Sequence, residues 1–222
     1  AFGFAMYLGV VIPAPLVLTA IIILVFFTIL NTLGIKWMMW VQSICTLIAL
    51  LALLVFGFGG SFFANPEYQT PLFPLGLGAI AAAVIPAYVM YTGLNGMTEL
   101  GGEIKNARRN IPRIIFGSLI LLTLIYVSIT YALTGLMPWQ VAGETEGALA
   151  IAAGEFLPQT FALYFMGIGA LLAAATTING SIAFFSRDVL ALGKDLVFPS
   201  VFGRINKWLG TPVWAILLLG VL

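Results

Sequence analysis

Residues 91–113 read YTGLNGMTELGGEIKNARRNIPR. An apolar run ends here in glycines, a threonine and an asparagine, a burst of charge follows, and a second apolar run begins. Glycine lowers helix stability and short polar side chains compete for backbone hydrogen bonds. Whether the stretch is an exposed loop or an interruption inside a buried helix depends on what the rest of the chain is.

Of the 222 residues, 62% are hydrophobic and only 8% are charged. A soluble globular domain carries roughly 25% charged residues because its surface must be hydrated. This chain cannot present such a surface, and an all-α polytopic membrane protein is the class that fits. There is no histidine, and the single cysteine, Cys45, lies inside an apolar run. That excludes a disulfide framework and a Cys/His metal site. Cys45 reads as a small apolar residue.

Backbone groups in lipid must be satisfied internally, so long apolar runs are read as helices. The sequence predicts spans over 7–31, 38–59, 73–101, 112–136 and 157–186, and the start of another over 212–222. Pro13 and Pro15 fall in the first turns of the first span, where a missing donor costs least. The last run is shorter than the roughly 20 residues a span needs, and the chain is read as part of a longer protein forming one transmembrane domain.

The charges sort by loop. Lys36; then Lys105, Arg108, Arg109 and Arg113; then Arg187, Lys194, Arg204 and Lys207 occupy the first, third and fifth loops. Glu67, Glu144, Glu146 and Glu155 lie in or beside the second and fourth, which hold no Lys or Arg. Alternate loops share a side of the membrane, so the positive-inside rule predicts that loops 31–37, 102–113 and 187–211 face the cytoplasm. The same placement explains the basic residues without nucleic acid. Trp37, Trp40, Trp139 and Trp208 fall at predicted span ends, where indoles settle at the interface.

Within the third span, Pro86 lacks a donor and crowds the preceding turn. Gly93 and Gly96 each cost roughly 1 kcal/mol against alanine in a helix interior, and Thr92 and Asn95 offer alternative hydrogen bonds. Small residues also permit close helix packing. The cluster of five favours an interruption near 91–96, of the kind that exposes backbone dipoles to a polar ligand at membrane depth. Beyond it, Asn110 is a candidate N-cap for the next helix, with Pro112 near its first position.

GLNGMTELGGEIKNARRNIPRII, residues 93–115, resembles the amino acid–polyamine–organocation superfamily of permeases, whose stretch runs approximately G-x8-E-E-x-K-N-P-x-R-x-I-P. Gly93, Glu103, Lys105, Asn106, Arg109, Ile111 and Pro112 match; Gly102 and Ala107 replace the usual glutamate and proline. SRDVLALGKDLVFPSVFGRINKWLGTPVWA, residues 186–215, is similar to the family's arginine, short helix, D-G-x-x-P and G-T-P. NTLGIKWMMWVQ, residues 31–42, is similar to its N-x-x-G-x-K…V-Q loop.

The resemblance implies a five-plus-five inverted-repeat (LeuT-like) fold, with these spans as its fourth to eighth helices and the start of the ninth. It implies secondary active transport of an amino acid by alternating access, and substrate contacts from Val89, Met90, Tyr91, Thr92, Gly93 and Asn95. The backbone of Tyr91–Gly93 would receive the substrate's α-amino group, Asn95 would offer its side chain, and the carboxylate would go to a first helix outside this chain. No cofactor is implied beyond a coupling Na+ or H+. Some members carry a lysine in the fifth helix, where this chain has Ala49. Thr176 and Thr177 are candidate sodium contacts, although hydroxyls in membrane helices also bond their own i−4 carbonyl.

Glu99 and Glu103 are spaced to share a helix face near the cytoplasmic boundary. With Lys105, Arg109 and Arg187 they form either a hydrated helix end or a latch whose pairs exchange between states. An enzyme is disfavoured, because without histidine or a midplane carboxylate acid–base and metal chemistry have few candidates. The alternative is a non-transporting structural or channel-type membrane subunit, which would explain the composition but not the interruption or the three loop motifs. The absence of an acidic residue in the predicted site favours neutral or apolar amino acids over cationic ones.

Overall fold

The computed structural model describes residues 1–11, 14–71, 74–145 and 147–221. Expectations that fall on Pro13, Leu72, Phe73, Glu146 and Leu222 lie outside them. The described residues are helical, without strands. Helices α1 (Phe2–Val11), α2 (Leu16–Thr32), α3 (Ile35–Leu54), α4 (Gly76–Val89), α5 (Gly96–Glu99), α6 (Ala107–Leu136), α7 (Trp139–Glu144), α8 (Ala148–Ala153), α9 (Gln159–Lys194) and α10 (Val213–Val221) follow in order. Four stretches among them are long and apolar enough to cross a membrane: Ile35–Gly59, Gly76–Glu99, Ala107–Leu136 and Gln159–Lys194, with Leu16–Thr32 a shorter apolar helix. The chain is an integral membrane protein.

It divides into two compact units, residues 1–50 with 168–222, and residues 51–167. In the first unit, Phe27 and Leu30 of α2, Ala175, Ile178 and Ile182 of α9 and Ile216 of α10 form the buried core. The run over 7–31, expected as one span, is two helices. Pro15, extended at φ −61° and ψ 117°, stands immediately before Leu16 and starts α2 afresh, because a proline supplies no donor to a preceding turn. Gly34, at φ 125°, reverses the chain between α2 and α3, a conformation that suits a residue without a Cβ.

In the second unit, Ala52 and Phe56 pack with Ala132 and Leu136 of α6, Ala152 and Ala153 of α8, and Ala162 and Met166 of α9. After Leu54 the helix widens into a π turn over Val55–Gly59. Glycines at its end let it press on its neighbours: a Cβ on Gly59 would stand 3.0 Å from the Phe156 ring, and one on Gly60, the residue after the turn, would stand 3.1 Å from Ala132 Cβ. The loop expected over 137–146 contains α7, and α8 follows it. Both are six-residue helices, too short to register as spans.

Two boundaries differ from expectation. Helix α6 begins at Ala107, not near Pro112. Asn106, left-handed at φ 52° and ψ 46°, turns the chain into it, and the Asn110 side-chain amide donates to the Lys105 carbonyl at 2.7 Å instead of capping. The Asn–x–Pro signature therefore lies inside the helix, with Pro112 in its second turn. Helix α9 continues past residue 186 to Lys194 because its buried face does, with Ser186 and Val189 both buried.

Candidate substrate site

Helix α4 carries Pro86 and still holds α geometry to Val89. There the backbone tightens. Met90 N–H donates to Ala87 O at 3.2 Å, Tyr91 N–H to Tyr88 O at 3.0 Å and Leu94 N–H to Tyr91 O at 3.2 Å. Tyr91 sits at φ −101° and ψ 0°, the dihedrals of a turn rather than a helix. Thr92–Asn95 form a 3₁₀ turn, Gly96–Glu99 one α turn, and Gly101–Glu103 a second 3₁₀ turn. The α-helix thus gives way after Val89 to a narrower 3₁₀ winding with a longer rise per residue, not to an extended segment. Glu99 and Glu103 consequently do not lie on one continuous α-helix.

Four of the six predicted contact residues, Val89, Met90, Thr92 and Asn95, have exposed side chains, Tyr91 is half-buried and Gly93 is exposed. A methyl group on Gly93 would meet nothing within 4 Å. Among the described residues, close packing therefore gives no reason for glycine here. Thr92 Oγ1 donates to Val89 O at 2.8 Å, and Thr98 Oγ1 to Asn95 O at 2.7 Å. These threonines satisfy carbonyls that the change of geometry turns away from the helix ladder.

Helix α6 supplies the rest, from residues that the sequence reading missed. Tyr126 Oη donates to the Met90 carbonyl at 3.3 Å. The Tyr126 and Tyr91 rings meet edge to face with centroids 5.5 Å apart. Tyr91 Oη lies 3.1 Å from Thr123 Oγ1. Thr123 already donates its one proton to Leu119 O at 2.8 Å, so the Tyr91 phenol is the donor of that pair. One signal was available: Tyr126 lies mid-span, away from the interfaces where tyrosine concentrates, three residues after Thr123.

A second polar cluster sits in the first unit. Asn31, 2% exposed, donates to Phe27 O at 2.9 Å and to Asn179 Oδ1 at 2.8 Å. Asn179, fully buried, donates to Gln42 Oε1 at 2.8 Å and Met38 O at 3.3 Å. Gln42 returns a bond to the Thr176 carbonyl at 3.3 Å. The three amides clasp α2, α3 and α9. The hydroxyls of Thr176 and Thr177 both donate to Ala173 O, at 2.8 and 3.0 Å, the back-bonded arrangement weighed from sequence. Arg187 belongs to the same unit and donates to Ala183 O at 2.9 Å and Ser186 Oγ at 3.0 Å. Glu99, Glu103, Lys105 and Arg109 belong to the other unit, with Lys105 and Arg109 exposed.

A family model described as amino acid permease matches residues 1–222. The methylthioribose transporter of Bacillus subtilis is 23% identical over 195 residues, 88% of this chain and 42% of the relative. The chloroplastic cationic amino acid transporter 9 of Arabidopsis thaliana is 29% identical over 185 residues, 83% of this chain and 32% of the relative. The branched-chain amino acid permease of B. subtilis is 26% identical over 195 residues, 88% of this chain and 42% of the relative. The chain spans less than half the length of each of these curated relatives. The family is one of permeases and not of enzymes, and a match from the first residue to the last makes this chain a member of the amino acid permease family.

Proposed function

We propose that this chain forms part of a secondary transporter that moves an amino acid across the membrane by alternating access, within a five-plus-five inverted-repeat fold. The substrate's ammonium group is received by the carbonyl end of α4 at Met90–Gly93, and loops 31–37, 102–113 and 187–211 face the cytoplasm. The observation that carries this reading is the interruption of an otherwise apolar span at Met90–Tyr91, beside a glycine with open space where a side chain would be. A half-helix ends there, and its negative dipole end favours a cation. The relatives named for branched-chain and cationic amino acids support an amino acid cargo. The absence of a carboxylate among Val89–Asn95 favours a neutral one.

The test is uptake of radiolabelled L-leucine by the full-length protein in proteoliposomes, wild type against Gly93→Leu. Because a Cβ at this position meets nothing within 4 Å among the described residues, the variant should insert and fold normally. Uptake should fall to background. Saturable uptake by Gly93→Leu at the wild-type rate would remove the α4 interruption from the substrate path. Non-saturable flux in the wild type would instead indicate a channel-type subunit.

A further inference from the structure

The phenol of Tyr126 donates to the Met90 carbonyl at the end of α4 and takes one of that oxygen's two lone pairs. The carbonyls around the interruption are served by donors: Val89 O by the Thr92 hydroxyl, Tyr91 O by Leu94 N–H, and Met90 O by Tyr126. Two of these donors belong to the same short turn and keep its shape. The third comes from another helix, and it can leave without altering the turn. At 3.3 Å it is longer than the roughly 2.5–3.0 Å of an ordinary O–H···O bond. The Tyr126 side chain does not depend on it for its place, because the ring is seated against Tyr91 at 5.5 Å. Tyr91 is itself fixed through its phenol to Thr123 and onward to the Leu119 carbonyl. One phenol of the pair is thus tethered at its oxygen and the other is held by its ring with an exchangeable hydroxyl.

We propose that Tyr126 is a resident donor on the Met90 carbonyl, displaced when the substrate's ammonium group arrives, and that it thereby sets the affinity for amine-bearing solutes. This rests on the reading of the α4 interruption as the substrate site. A charge-assisted N–H···O bond is roughly twice as strong as a neutral one, so an ammonium group wins the carbonyl from the phenol. The exchange returns less than binding to a vacant carbonyl would, because the phenol's bond is given up. A solute without an amine does not make the exchange.

The test compares wild type and Tyr126→Phe, full length and in proteoliposomes, for uptake of L-leucine and of methylthioribose, which has no amine. Tyr126→Phe keeps the ring contact with Tyr91 and removes only the donor. A neutral hydrogen bond is worth about 1 kcal/mol, or about fivefold. The KM for L-leucine should therefore fall by about three- to tenfold, while any methylthioribose uptake keeps its KM. An unchanged or raised KM for L-leucine, or an equal fall for methylthioribose, overturns the proposal. As a readout that does not depend on the variant, a fluorinated tyrosine at position 126 of the wild-type background should change its fluorine NMR shift with L-leucine but not with methylthioribose. An unmoved signal at saturating L-leucine counts against displacement. Wild-type protein that takes up no L-leucine would fail the transport reading itself, and the role of Tyr126 would fall with it.

Discussion

Leu196 ends α9 in a conformation that a leucine rarely adopts, φ 59°. Val197 N–H reaches back to the Leu192 carbonyl at 3.0 Å, the six-to-one bond of a helix terminus that wants glycine at the left-handed position. The related motif has glycine there, in D-G-x-x-P, and this chain reads DLVFP. A left-handed backbone costs a non-glycine residue roughly 1–2 kcal/mol, and at 76% exposure the Leu196 side chain returns little packing. Leu196→Gly should stabilise the protein by about 1 kcal/mol. A thermal midpoint in detergent that stays level or falls would contradict that account. The turn position could be read from the pattern, but the strain could not, because a departure from a motif does not say which conformation the chain keeps.

At the scale of elements, the amide clasp holds three helices together inside a low-dielectric interior. Asn179→Leu removes donors to Gln42 and Met38 and the acceptor of Asn31. Interhelical side-chain bonds in membranes average below 1 kcal/mol, but stranding buried partners adds about 1–3 kcal/mol. The single variant should cost about 2 kcal/mol, and Asn31→Leu combined with it should cost less than the sum of the two. Strict additivity in the detergent melting curves would deny the clasp. None of this was legible. Asn31 and Gln42 drew attention only as loop-motif letters, and nothing in linear order brings Asn179 to them. The interruption of α4 was legible, since proline, glycine and short polar side chains act on their own turn. Its anchoring was not, since Tyr126 comes from another helix. The start of α6 was misplaced for the same local reason: two asparagines compete for one boundary, and the left-handed Asn106 turns the chain before Asn110 can cap.

For the molecule as a whole, apolar length pointed to long helices because backbone exposed to lipid is costly, and four of the described stretches are long and apolar enough to cross a membrane. The short α7 and α8 escaped, since six residues carry too little periodicity to separate from a loop. The sidedness is open to direct measurement. With Cys45 and any cysteine outside this chain replaced by serine, Arg108→Cys should react with an impermeant maleimide only after cells are opened, and Thr145→Cys should react in intact cells; the reverse pattern would invert the assignment. The four residues Thr92–Asn95 are wound as a 3₁₀ turn. A 3₁₀ turn advances about 2.0 Å and 120° per residue, against about 1.5 Å and 100° in an α-helix. If this segment relaxed to the wider winding, everything beyond Gly96 would unscrew by about 80° and retract by about 2 Å, so a change confined to a single coil would be felt as a quarter-turn at the charged rim beyond it.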